Sequence, residues 1–176
     1  MASEDPLPRT HPGDPGTIAI RAARPEDAGE LARLAAELGY PTDADTMCRR
    51  LHSLRRRDDH AVLVAEQCAM RNRTVAAPGS VVFGWIHATR GISLEAGEAV
   101  EILGLVIDRR ARRAGLGRRL VAAAEAWSGA SGLDRVVVRS NVVRAESHQF
   151  YPALGFTLAK TQRVYVKRLG ARPPEF

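Results

Sequence analysis

The residues with the clearest capacity for chemistry are Arg112, Gly115 and Gly117, in the stretch Arg112-Arg113-Ala114-Gly115-Leu116-Gly117-Arg118. They follow a nearly continuous apolar run, Val100 to Ile107, of strand length and rich in β-branched residues. Beyond them Leu116, Leu120, Ala123, Ala124 and Trp127 recur at spacings of three and four, which predicts a helix. A strand, a basic turn containing glycine and a helix N-terminus together make an anion site. The first N–H groups of a helix have no partner within it, and the helix dipole favours negative charge at that end. Glycine removes the Cβ atoms that would block a phosphate. The chemistry indicated is the cradling of a pyrophosphate.

Three kinds of loop share that physics. A Walker A loop places Lys and Ser/Thr after its last glycine, where Arg118 and Arg119 stand. A dinucleotide fingerprint needs a third glycine or alanine where this chain has Leu120. The pattern that remains is Arg/Gln-x-x-Gly-x-Gly/Ala, and it resembles the acetyl-CoA pyrophosphate loop of the GNAT superfamily of N-acetyltransferases. About twenty-five residues on, Asn141-Val-Val-Arg-Ala-Glu-Ser-His-Gln-Phe150-Tyr151-Pro-Ala-Leu-Gly155-Phe156 resembles the second signature of the same superfamily. The two signatures stand in the right order with a helix and a strand between them. One departure is Arg113, where the family usually has glycine, followed by Ala114.

The resemblance implies acetyl transfer from the acetyl-CoA thioester directly to an amine, with no covalent enzyme intermediate and no metal. Residues 112–118 (Arg112, Arg113, Ala114, Gly115, Leu116, Gly117 and Arg118) would hold the pyrophosphate. Backbone N–H groups at Leu105 and Ile107, with Val106 between them, would pair with the pantetheine arm and hold the thioester carbonyl. Asn141 would bond that arm or its bridging water. Tyr151 matches the tyrosine that protonates the departing thiolate, and its ordinary pKa near 10 suits that donation; its competing role is packing with Phe150 and Phe156. An alkylamine, with a pKa also near 10, is only about one part in a thousand unprotonated at neutral pH, so a proton acceptor is needed. Glu101 is the candidate, because period-two alternation places it on one face with Leu103, Leu105 and Ile107; the alternative is a structural ion pair.

Other elements must position these groups. Thr17 to Arg21 reads as a first strand. Pro25 opens a helix whose stripe is Ala28, Leu31, Leu34, Ala35 and Leu38, closed by Gly39. Thr42 is the expected N-cap of a second helix carrying Met47, Leu51 and Leu54. In the family, the region of these two helices forms one wall of the acceptor pocket, which makes Tyr40, Thr42, Asp43 and Asp45 weak substrate candidates. Residues 61–66 and 81–88 are strands, with a hairpin loop at 68–79 and another loop at 90–97. The short links imply antiparallel pairing, whereas the helix between strand 100–107 and strand 135–140 implies a parallel crossover. Residues 156–160 and 163–169 are expected to close as a hairpin. The fold class is therefore α/β (α+β): a three-layer arrangement with a central mixed, mostly antiparallel sheet of about six or seven strands and about four helices. The expected organisation is a leader at 1–16, one acetyltransferase domain at 17–170 and a short tail at 171–176.

Composition bounds the partners. The chain has 176 residues, 45% hydrophobic and 26% charged, values ordinary for a globular protein. No apolar run nears the roughly 20 residues that span a bilayer, and no signal segment opens the chain, so a cytoplasmic location without a membrane partner is expected. The net charge is +6, but the arginines are scattered and aromatics make up only 5%, which disfavours nucleic acid. The local group Arg109, Arg110, Arg112, Arg113, Arg118 and Arg119 is better explained by cofactor phosphates. Cys48 and Cys68 lack zinc spacing and read as reduced thiols, and the histidines show no ligand spacing. The partners expected are acetyl-CoA and an amine, with a homodimer open. The acceptor reads as a primary amine of a small molecule, with a cationic one of the aminoglycoside or polyamine kind as one form, Glu95 and Glu98 adding to an acidic end. A protein N-terminus or lysine, a non-catalytic acyl-CoA sensor and a basic nucleic-acid binder are the alternatives.

Overall fold

The computed structural model describes residues 18–67, 81–167 and 169, and it divides into two compact units, Met1–Arg139 and Ser140–Phe176. The proposed leader and tail and the 68–79 loop, with Cys68, lie outside the described residues. In the first unit a five-stranded sheet runs in sequence order: β1 (Ile18–Ala22), β2 (His60–Gln67), β3 (Val81–Ser93), β4 (Gly97–Ile107) and β5 (Val136–Val138). The first four strands pair antiparallel and β5 joins β4 in parallel. The sheet is therefore mixed, with the expected crossover, though shorter than expected by the C-terminal hairpin.

Helices α1 (Ala28–Glu37) and α2 (Ala44–Arg55) cover one face. Their Leu31, Leu34 and Leu51 form a core with Val64, Val82 and Val106. Helix α3 (Leu116–Ala130) covers the other face and buries Leu116, Leu120, Val121 and Ala124. On that side the sheet turns Ala61, Ala65, Ile86, Ala88 and Ile102 inward, all buried. Arg21 locks the entry to α1 by bonding both Asp27 and Glu66 at 2.7–2.8 Å. Gly39, at φ +91, ends that helix as its sequence implies.

Three local expectations change. The cap of α2 is Asp43 rather than Thr42: its carboxylate accepts from the Thr46 N–H at 2.7 Å and from the Thr46 hydroxyl at 2.8 Å. Residues 90–97 are not a loop, because β3 and β4 continue to a tight turn after Ser93, paired as far as Ser93 with Gly97. Residues 156–167 hold no strand, so the expected final hairpin is absent among the described residues and the sheet has five strands rather than six or seven. β-prone side chains do not make a strand without a ladder partner. Leu158, Val164, Tyr165 and Val166 are all more than three-quarters exposed.

One irregularity shapes the site. His87 pairs with Gly104 and Ala88 with Ile102, leaving Leu103 as an extra residue in β4. This is a β-bulge, and it reverses the in–out alternation of the strand. Just past it, Trp85 crosses β4 so closely that a Cβ on Gly104 would lie 2.8 Å from the ring. Any larger residue would force the Trp85 ring to shift.

Candidate active site

The bulge divides β4 into two halves with different neighbours. Before it, Val100, Glu101 and Ile102 pair with Val136, Val137 and Val138. After it, β5 has ended, and one edge of β4 has no strand beside it among the described residues. The Asp108 N–H donates to the Phe83 oxygen of β3 at 2.8 Å. Because backbone groups alternate between edges along a strand, the N–H groups of Leu105 and Ile107 face the edge that β5 vacates, while that of Val106 faces β3. The residues named from sequence for thioester binding thus line an open edge.

That half-strand leads into the anion cradle. A 3-10 turn at Arg109–Ala111 follows β4, and then the chain takes two left-handed residues, Arg113 at φ +63 and Gly115 at φ +75. The second suits glycine. The first is where the family usually has glycine, so Arg113 carries a conformation costing about 1–2 kcal/mol for an L residue. Gly115 is the N-cap of α3, and Leu116 and Leu120 anchor the first turns in the core. The opening amides of α3 have no partner within the helix. Arg112, Arg113, Ala114, Gly115 and Arg118 are exposed around this end.

Not every arginine of the basic group is available to a phosphate. The Arg110 guanidinium bonds Asp108 twice, at 2.7 and 3.0 Å, and Arg119 bonds the Ile18 carbonyl. Arg112 Nε donates to the Ile107 oxygen at 3.2 Å, and Arg109 lies 3.7 Å from Glu37. Part of the cluster thus also shapes the loop. Asp108 is the residue of this turn that sequence reasoning passed over. It is 1% exposed, and the Arg110 guanidinium beside it holds its carboxyl far below the usual range despite burial.

Glu101 is not on the face expected. It pairs with Thr89, whereas Leu105 and Ile107 pair with Ile86 and Gly84, which point to the opposite side. The extra Leu103 is the cause. Glu101 faces the α1–α2 side with His87 and forms an ion pair with Arg139. On the same face His60 Nδ1 and His87 Nε2 stand 3.0 Å apart. Burial first, and then the charge of His60, lowers His87 to about 4, so it is neutral at pH 7. Among the described residues no group of three or more His, Cys, Asp or Glu is placed to hold a metal, and Cys48 is a free thiol.

The second unit carries Asn141 and Tyr151. Asn141 is exposed and makes a turn: its Oδ1 accepts from the Val143 N–H at 3.1 Å and its carbonyl from Arg144 at 3.0 Å. Tyr151 caps α4 (Ala145–Phe150) and is half-buried, with edge-on ring contacts to Phe150 at 5.1 Å and Phe156 at 5.5 Å. Burial raises its phenol above the ordinary value, and the nearby Arg144 charge opposes the shift. A phenol held protonated is suited to donating a proton.

The sequence that builds this strand and glycine-capped helix lies within a match to one family that covers most of the chain. Residues 29–156 match the acetyltransferase (GNAT) family. The chain belongs to that family. It is an N-acetyltransferase by class, and its fold agrees with solved members. Over 155 residues it is 29% identical to the aminoglycoside N(6')-acetyltransferase type 1 of Stenotrophomonas maltophilia, covering 88% of this chain and 94% of that protein. The structure of AAC(6')-Iy in complex with the bisubstrate analogue CoA-S-monomethyl-acetylneamine superposes with a TM-score of 0.71 at 19% identity, covering 87% of this chain and 99% of that one. Glucosamine-6-phosphate N-acetyltransferase from Arabidopsis thaliana gives 0.67 at 20% identity, covering 85% and 98%. Among the described residues no helix is long and apolar enough to cross a membrane.

Proposed function

We propose that the protein moves the acetyl group of acetyl-CoA to a primary amine of a small cationic molecule, of the aminoglycoside or polyamine kind. The observation that carries this reading is the vacated edge of β4, with the Leu105 and Ile107 N–H groups facing it and the Gly115-capped helix beyond. The relatives named as aminoglycoside acetyltransferases support the choice of acceptor.

In this mechanism residues 112–118 bind the pyrophosphate of acetyl-CoA, with the opening amides of α3 as donors. The pantetheine arm lies along β4 as an added strand, and Asn141 bonds it or a bridging water. The edge amides hold the thioester oxygen as negative charge develops on it. One ammonium proton first passes through water to Glu101, freeing the nitrogen lone pair. The neutral amine attacks the carbonyl carbon, the C–S bond breaks, Tyr151 gives its proton to the leaving sulfur, and the second nitrogen proton returns through solvent to the phenolate. The face on which Glu101 stands is the one covered by α1 and α2, where the family resemblance puts the acceptor wall. Asp43 is engaged as a helix cap, which leaves Tyr40, Thr42 and Asp45 as the candidates on that wall.

The test is a free-thiol release assay with acetyl-CoA over a panel of amines, with Tyr151→Phe alongside. Amine-dependent turnover, falling at least tenfold in the variant while the KM for acetyl-CoA holds within twofold, is expected. Binding of acetyl-CoA without turnover on any amine would replace the enzyme reading with that of an acyl-CoA sensor. Failure to bind acetyl-CoA would remove the assignment of residues 112–118.

A further inference from the structure

Asp108 sits between the last residue of β4 and the basic turn, and its buried carboxylate is fully engaged. Oδ1 accepts from the Arg110 backbone N–H at 2.9 Å and from Arg110 Nε at 3.0 Å. Oδ2 accepts from Arg110 Nη2 and from Arg33 Nη2, both at 2.7 Å. Its backbone is used as well: the N–H donates to Phe83 at 2.8 Å and the carbonyl accepts from Ala111 at 2.9 Å. Arg33 belongs to α1, where its other nitrogens bond Glu30 at 2.9 Å and Glu37 at 3.0 Å. One carboxylate thus joins the end of β4, the first turn of the loop and a helix from the other end of the chain.

A carboxylate directly under a phosphate loop would by itself repel the ligand. Here two guanidinium groups offset it, and although the Arg110 side chain is 75% exposed, its Nε and Nη2 are both spent on Asp108. The arrangement therefore lowers the number of free cations at the cradle, and what it gives in return is geometry. The chain must leave β4 and pass through left-handed Arg113 and Gly115 to point the α3 amides at one place. Preformed donors bind an anion without an ordering cost at the moment of binding.

We infer that Asp108 is a positioning residue for the acetyl-CoA pyrophosphate: clamped by Arg110 and Arg33, it fixes the path of the loop without touching the cofactor. This rests on the reading of residues 112–118 as the cradle. Asp108→Asn is the informative change. An amide puts N–H donors where Oδ2 now faces two N–H donors, so the clamp must open while the side-chain volume is kept.

The experiment uses the full chain and two acetyl donors, acetyl-CoA and acetylpantetheine, the second lacking the pyrophosphate and nucleotide. Calorimetric titration gives Kd for acetyl-CoA, and turnover of the best amine gives kcat/KM for each donor. The expected result for Asp108→Asn is about tenfold weaker acetyl-CoA binding, with kcat/KM for acetylpantetheine within twofold of wild type. Arg33→Met, at a half-exposed site that leaves Arg110 in place, should lose about threefold in the same donor-selective way. Equal losses with both donors would make Asp108 a general stability residue and overturn the inference. Unchanged or tighter acetyl-CoA binding would overturn it too, since a freed Arg110 would then be serving the phosphates. If Asp108→Asn does not fold, Arg33→Met decides on the same criteria. Failure of the wild type to bind acetyl-CoA removes the cradle reading itself, an outcome distinct from these.

Discussion

The β4–loop–α3 region and the segment carrying Tyr151 are held in different ways. The first is fastened from beneath: Leu116, Leu120, Val121 and Ala124 are buried, and Asp108 fixes the loop to α1. Among the described residues of 140–167 none is buried. That segment is held by short-range backbone bonds, such as Tyr151 N–H to Ser147 at 3.1 Å, and by the ring contacts of Phe150, Tyr151 and Phe156. Under the proposed function the difference would separate two tasks: a pyrophosphate cradle has to be rigid before the ligand arrives, whereas a proton donor need only be correctly placed when the thiolate forms.

That contrast can be broken by substitutions on each side. Leu120→Ala removes a fully buried side chain beneath the cradle and should cost about 3 kcal/mol in denaturant unfolding. Phe156→Leu lies at the other extreme: it removes one ring contact from Tyr151 and should cost under about 1 kcal/mol, lowering kcat more than stability. Comparable stability losses in the two variants would erase the distinction.

Between those extremes falls a pH effect belonging to the sheet. His87 titrates at about 4 in the folded protein, below its ordinary value of about 6.5. The unfolded chain therefore takes up a proton there before the folded one does. Stability contributed by the neutral ring is fully present above pH 6.5 and is lost as pH falls towards 4, by about 2 kcal/mol after allowing for partial exposure. Unfolding curves between pH 7 and 4 should show this slope, and His87→Gln should flatten it. A slope unchanged by the substitution would place the acid sensitivity elsewhere.

Much of this was legible in the residues themselves. The stripe of α1, the apolar run of β4 and the Gly115–Gly117 helix start are local patterns, and each element formed where its pattern lies. The features that escaped are set by distant partners. The bulge at Leu103 exists only in register with His87 and Ala88, so Glu101 could not be assigned a face from period-two counting. Asp108 reads as an ordinary turn residue until Arg33, 75 positions away, is brought against it. The expected C-terminal hairpin failed for the converse reason: its β-branched residues were visible, but no partner ladder was.

The parallel pairing of β5 has a consequence for how the protein assembles. Strands β1 to β4 follow one another in space as they do in sequence, and β3 and β4 are joined by a tight turn. β5 reaches β4 only across the α3 crossover, which brings Val136 to Val100. Closing that longer span costs more chain entropy before any contact rewards it. In pulse-labelled hydrogen exchange during refolding, amides of β3 and β4 should gain protection before those of Val136–Val138, and simultaneous protection would contradict this order. The β4 edge that β5 leaves without a neighbouring strand would then be complete before that parallel partner arrives.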